Sequence, residues 1–325
     1  MPSIVTHYLF SEAIIQKTTP KIQKHLKNKQ KTYHIFAQSF DNLFYYNLLT
    51  WKKGKQIRKL GTKYQQENCS EYFQNIIQNI KEQQLQENSE ILSYLYGSLT
   101  HYILDRNCHP FIIYQAGWID ASNPNYKYRG NHEKIEVSID AILYKEKRKS
   151  PLYKAKLSDT LLPKIKFSKT LKNLITQTYQ QTFNQENMGS IYETSTNQGH
   201  YILKYFVTDR TGIKKIAYKI FDEIFTKNLT MYQYLSFHTT KPDINILNRN
   251  HEPWFHPTNN TLKYTTSFDD LLKKAEKETL EIFKETEKVL YNKITLNEYL
   301  KKLKNISYTT GMNWRKKTKM KYFKN

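Results

Sequence analysis

The chain has 325 residues, 51 of them Lys or Arg against 29 Asp or Glu, giving a formal charge of +22. Nine Gly and nine Pro are too few for a strand-and-turn fold, which needs a turn every ~8–12 residues. Two cysteines, Cys69 and Cys108, exclude a disulfide framework and suit a reducing compartment, and no run approaches the ~20 apolar residues that span a bilayer.

The N-terminal stretch MPSIVTHYLFSEAIIQK has no basic segment ahead of a continuous apolar one, so no secretory signal is expected. Helices are expected over 7–18 and 20–38, broken at Thr19-Pro20. FDNLFYYNLLTW (40–51) reads as a short buried helix entered through Asp41. In SEYFQNIIQNIKEQQLQ (70–86), Tyr72, Phe73, Ile76, Ile77 and Ile80 keep a helical period behind Ser70 as N-cap. Residues 89–107 form the next helix, capped by Ser89, and Cys108-His109-Pro110 should end or bend it, because the residue before proline disfavours helical dihedrals. Residues 117–130 read as loop, and 131–147 as a helix behind Asn131. In the second half 170–183, 213–227 and 267–290 keep the helical period, with a loop over 248–260. The expectation is an all-α chain of one domain over 1–325: a first half to about 150, a helical extension to about 310, and a basic tail over 311–325.

The charge favours anionic partners: nucleic acid, an anionic membrane surface or phosphorylated substrates. No nucleic-acid-binding signature accompanies it, and a surplus of solvated lysine explains the overall balance as well.

Chemistry concentrates in the first half. His101 and Asp105 stand at i, i+4 on one helical face, and His109 follows along the same stripe. A second helix carries His132 and Glu136 at the same spacing, with Asp140 one turn further; His7 and Asp41 lie in apolar stretches nearer the start. Imidazole nitrogens and carboxylate oxygens are zinc ligands, and i, i+4 spacing lets one helix give two of them to one ion. Taken singly, each has a plainer reading: a helix-surface hydrogen bond for either pair, an N-cap for Asp41, an interior histidine for His7. Taken together, they point to a metal site.

The segments MPSIVTHYLF, FAQSFDNLFYY (36–46), YLYGSLTHYILDRNCHPFI (94–112) and NHEKIEVSIDAIL (131–143) resemble the zinc-dependent phospholipase C family, its unsecreted bacterial members in particular. The likeness extends through ILNRNHEPWFHP (246–257) and SFDDLLKKA (267–275). It implies a multi-helix all-α bundle shared with zinc nucleases of the S1/P1 type. It also implies a three-zinc cluster: His101, Asp105 and Asp41 at one zinc, Asp105 bridging to a second held by His7, and His109, His132 and Glu136 at the third. The implied chemistry is phosphodiester hydrolysis, in which zinc binds phosphate oxygens and lowers the pKa of a bound water towards ~7. Asp41 would be the general base or water orienter.

Three departures accompany the resemblance. The family places a histidine ligand between the equivalents of Asp41 and His101, where GTKYQQENCSEYF offers only Gln65. Secreted members hold the zinc at His7 through an N-terminal amine and a Trp, whereas this chain starts Met-Pro and would offer the imino group of Pro2. His109 follows Asp105 more closely than in the secreted phospholipases and nucleases. The expectation is therefore one firmly held zinc and up to three in all. The expected function is a zinc phosphodiester hydrolase acting on a phospholipid at a membrane surface or a related anionic phosphodiester. The alternatives are a non-catalytic or weakly active member with a degenerate site, and a P1-like nuclease. A cytoplasmic monomer is expected, with His251, Trp254 and His256 as packing or loop residues.

Overall fold

The computed structural model describes residues 4–118, 130–226, 235–238 and 244–324. Pro2, residues 119–129 of the expected loop, residue 227 of the expected helix and the last residue of the tail lie outside them. Helix accounts for 69% of the described residues, and the fold is an all-α bundle.

The helices are α1 (Ile4–Lys17), α2 (Pro20–Asn28), α3 (Gln30–Phe36), α4 (Trp51–Tyr64), α5 (Cys69–Glu82), α6 (Ser89–Ala116) and α7 (Asn131–Arg148). Then come α8 (Leu157–Leu161), α9 (Lys169–Phe183), α10 (Met188–Ile202), α11 (Ile213–Phe221), α12 (Phe268–Leu290) and α13 (Leu296–Leu303). A helix that is apolar on every side belongs inside a protein. Helix α6 carries apolar residues all round its axis beside the face of His101, Asp105 and His109, and it is buried along nearly the whole length. Helices α1, α2, α3, α7 and α12 pack around it. The close approach of α3 is set by Gly97, where a Cβ would lie 2.7 Å from the Tyr33 carbonyl oxygen.

The core is rich in tyrosine, and four of the buried hydroxyls pair with one another, Tyr72 with Tyr94 at 2.8 Å and Tyr179 with Tyr192 at 2.6 Å, while those of Tyr64 and Tyr308 have no hydrogen-bond partner among the described residues. In the paired tyrosines the ring contributes apolar area without leaving an unsatisfied hydroxyl.

Several expected boundaries move. The expected 20–38 helix breaks at Lys29, which lies outside helical geometry with φ −126°. The 40–51 helix is a run of 3-10 turns over Ser39–Tyr45, with Asp41 inside it rather than at its entrance. Asn68, not Ser70, precedes α5. Asn88 rather than Ser89 caps α6, its side chain accepting from the amides of Glu90 and Ile91. Gly130 at φ 75° precedes α7, in place of Asn131. The expected 213–227 helix ends at Phe221 and continues as a wider π turn to Thr226.

Pro110 does not end α6, which runs on to Ala116. A proline inside a helix costs ~3 kcal/mol through its missing amide. Burial of Phe111, Ile112 and Ile113 beyond it, at ~1.5–3 kcal/mol each, outweighs that.

The expected loop at 248–260 contains an antiparallel hairpin, β1 (Trp254–His256) and β2 (Asn259–Tyr264). Trp254 stacks on Tyr264 across the strands and meets Phe111 of α6 edge-on. The basic tail runs back along this hairpin, the amides of Lys321 and Tyr322 donating to the Pro257 carbonyl.

Candidate metal centre

Four segments deliver the seven expected residues to one region: His7 from α1, Asp41 from the 3-10 turns, His101, Asp105 and His109 from α6, and His132 and Glu136 from α7. They form two groups whose donor atoms lie within 4.8 Å of one another: His7, Asp41, His101 and Asp105; and His109, His132 and Glu136. Helix geometry explains the division. Each i, i+4 step overshoots a full turn by about 40°, so His101 and His109 fan to opposite sides of Asp105. The Asp105 carboxylate lies between them, its Oδ2 3.3 Å from His101 Nε2 and 3.7 Å from His109 Nδ1. Its Oδ1 is 3.0 Å from His7 Nε2.

Each group is held by residues outside the seven. The His109 Nδ1 donates to the Tyr308 carbonyl at 3.1 Å, which turns Nε2 towards Glu136 Oε1 at 3.7 Å. Fixing one imidazole nitrogen on a backbone carbonyl is how metal-binding histidines are oriented. His132 Nε2 reaches the same Glu136 oxygen at 3.0 Å. The Gln65 amide donates to Asp41 Oδ1 at 2.5 Å. Asp140, one turn past Glu136, accepts from the amides of Val5 and Thr6 and from the Thr6 hydroxyl. It thereby ties the start of α1, and with it His7, to the helix that carries His132 and Glu136.

The electrostatics are those of charges removed from water. Burial, then the neighbouring Asp105, hold the Asp41 carboxyl well above the usual range. Burial works against ionised Asp105 too, but the imidazoles of His101, His109 and His7 outweigh it and lower its pKa. Burial pushes His101 down to about 3. His109 goes the other way despite burial, up to about 10, because Asp105 and Glu136 face it. Burial is likewise overcome at Glu136, where His132 and His109 bring it down to about 2.

Donor atoms remain that no protein group satisfies: His7 Nδ1, Asp41 Oδ2, both nitrogens of His101, Asp105 Oδ2, His132 Nδ1 and Glu136 Oε2. Stranding a buried polar atom costs ~1–3 kcal/mol. Their gathering in two imidazole–carboxylate groups fits the ligand preference of a divalent zinc ion.

A family model described as zinc dependent phospholipase C matches residues 6–189, more than half of the chain. The chain belongs to the zinc-dependent phospholipase C family. No curated protein and no solved structure matches it. The stretch matched to the phospholipase C family contains all seven residues of the two groups, together with Gln65 and Asp140.

In this family member the closer spacing of His109 to Asp105 does not remove it from the centre, because α6 stays helical through Pro110. Gln65 reaches the centre, as a hydrogen-bond donor to Asp41. The sequence reading missed Tyr308, whose carbonyl orients His109 from 199 residues away. No spacing signal reaches over that separation. Asp140 did carry a signal, since it continues the i, i+4 series of His132 and Glu136.

Proposed function

We propose that this chain is a zinc-dependent phosphodiester hydrolase acting on a phospholipid or a related phosphodiester, with one ion at each of the two groups. The observation that carries the reading is the convergence of seven imidazole and carboxylate side chains, from four separate segments, on two sets of unsatisfied buried donor atoms. Bound zinc would supply Lewis-acid polarisation of a phosphoryl oxygen and a lowered pKa for a water molecule beside it. The Gln65 amide donates to Asp41 Oδ1 and leaves the buried Oδ2 without a hydrogen-bond partner among the described residues; ionised beside the bound cation, Asp41 would orient the attacking water and accept its proton as general base. The phosphoryl group approaches past His132, the one ligand with appreciable exposure at 26% of its side chain, beside Trp118. The unpaired, buried Cys69 and Cys108 suit the cytoplasm, where we place the protein as a monomer.

The test is hydrolysis of a soluble short-chain phosphatidylcholine and of bis(p-nitrophenyl) phosphate by protein loaded with zinc, with single-stranded DNA in the same panel. Chelation should abolish turnover and zinc restore it, and Asp41→Asn should lower it by roughly 10²–10⁴. Turnover confined to DNA would replace the lipid reading by a nuclease.

A second reading, a zinc-holding protein without turnover, is favoured by Gln65. Its nitrogen donates to Asp41 and supplies no metal lone pair. Absence of turnover in the natural chain and its appearance in Gln65→His would establish that reading.

A further inference from the structure

A surface helix normally turns its apolar stripe to the core and its charged face to water. Helix α11 does the reverse. Ile213, Ile216 and Ile220, then Ile224 in the turn beyond it, recur every three or four residues, and with Phe225 they are 50–70% exposed. The polar side faces the protein and is fastened there. Lys214 Nζ donates to the carbonyls of Tyr205 and Thr208, both at 2.7 Å, and Tyr218 donates to the Phe206 carbonyl at 2.9 Å. The Lys215 ammonium donates to the His238 carbonyl. Buried Asp209 accepts from the amides of Gly212 and Lys215 and from the Ser236 hydroxyl. These bonds fix the rotation of α11 about its own axis. The outward stripe is therefore part of the folded structure and not an end that has come loose.

The stripe continues onto the preceding turn. Tyr201 and Tyr205 stack with centroids 6.2 Å apart, and Lys164 and Lys204 set their ammonium groups over these rings at 4.5 and 5.3 Å. With Leu48, Leu49 and Phe206 the two tyrosines line an open apolar cavity of about 390 Å³. Aromatic rings carrying lysines, next to bare isoleucine and phenylalanine, make the pattern of a membrane–water boundary.

We propose that the outward face of α11 and the adjoining Tyr205–Phe206 turn dock on an anionic lipid bilayer. Isoleucine and phenylalanine would enter the acyl boundary, and Lys164, Lys204 and Arg210 would meet lipid phosphates, Lys219 being paired with Glu223. Charge decides for lipid over a second copy of the chain. Self-association would press two cationic rims together on proteins of net charge +22, whereas an anionic bilayer neutralises them. The inference rests on the proposed phospholipid hydrolysis for its purpose: it would bring the centre to its substrate.

Docking is measured without turnover, by sedimenting the full chain with vesicles of phosphatidylcholine alone or mixed equally with phosphatidylglycerol. Binding is expected only to the mixed vesicles and should weaken in high salt. Ile216→Ser with Ile220→Ser should reduce it roughly tenfold while hydrolysis of the soluble phosphodiester stays unchanged. Failure of the natural chain to bind mixed vesicles overturns the proposal, as does equal binding by the double variant. A natural dimer in sedimentation velocity that the double variant splits would assign the face to a second copy instead. Vesicle binding with no hydrolysis of any phosphodiester would leave docking standing and remove the proposed reaction.

Discussion

The two candidate metal groups differ in how they meet water and in what completes them. The group of His7, Asp41, His101 and Asp105 is sealed, with two carboxylates facing two imidazoles and Gln65 bound to one of them. The group of His109, His132 and Glu136 opens at His132 and has one imidazole pinned on the Tyr308 carbonyl. The sealed group can strengthen electrostatic effects through its low dielectric, but the open one alone gives a substrate a path. The two are joined through Asp105, so under the proposed function a phosphodiester held at the open group would lie next to Asp41 in the sealed one.

Removing that join should have the largest effect. Asp105→Asn is expected to lower metal content at both groups and to destabilise the fold by ~3–5 kcal/mol, read by elemental mass spectrometry and thermal unfolding. Full metal retention at either group would show the two to be independent.

A smaller effect separates the metal-group histidines from one that only packs. His34 is buried, accepts from the Gln30 amide at Nε2 and shares its Nδ1 with Ser11. Burial lowers its pKa from the ordinary 6.5 to about 4. The unfolded chain therefore binds more protons than the folded one between these values, and stability falls as pH drops through that window. The loss should reach at most ~3 kcal/mol, and His34→Gln should abolish its share of the slope in urea unfolding from pH 7 to pH 4. An unchanged slope would assign the acid sensitivity to the metal groups.

The finest comparison is at Gln65. Gln65→Ala releases Asp41 and should weaken metal at the sealed group by roughly 10–100-fold, leaving the open group unchanged in a competition titration with a chelating dye. Equal weakening of both would show that Gln65 supports the bundle rather than Asp41.

How much of this was legible in the sequence depended on how each element is stabilised. Helices α5, α7, α9 and α12 keep an apolar period and were placed within a few residues. Helix α10, MGSIYETSTNQGHYI, was missed because its composition is a poor helix former and its stability comes from contact. At Gly199 a Cβ would lie 2.8 Å from both Tyr45 and Leu162, so the residue that weakens its propensity is the one that lets it pack. The i, i+4 histidines and carboxylates announced the ligand pairs. Nothing local announced that α6 would pass through Pro110, that Gln65 would serve Asp41, or that Tyr308 would orient His109, since each depends on packing between distant segments.

Under the proposed function these seven residues would hold metal in two groups joined by Asp105. This is tested most directly by the zinc content of protein purified without chelator, for the natural chain and for His132→Ala. About two zinc ions per chain are expected for the natural protein and about one for the variant. Zinc absent from both would contradict it, leaving the seven side chains as a polar network inside a helical core.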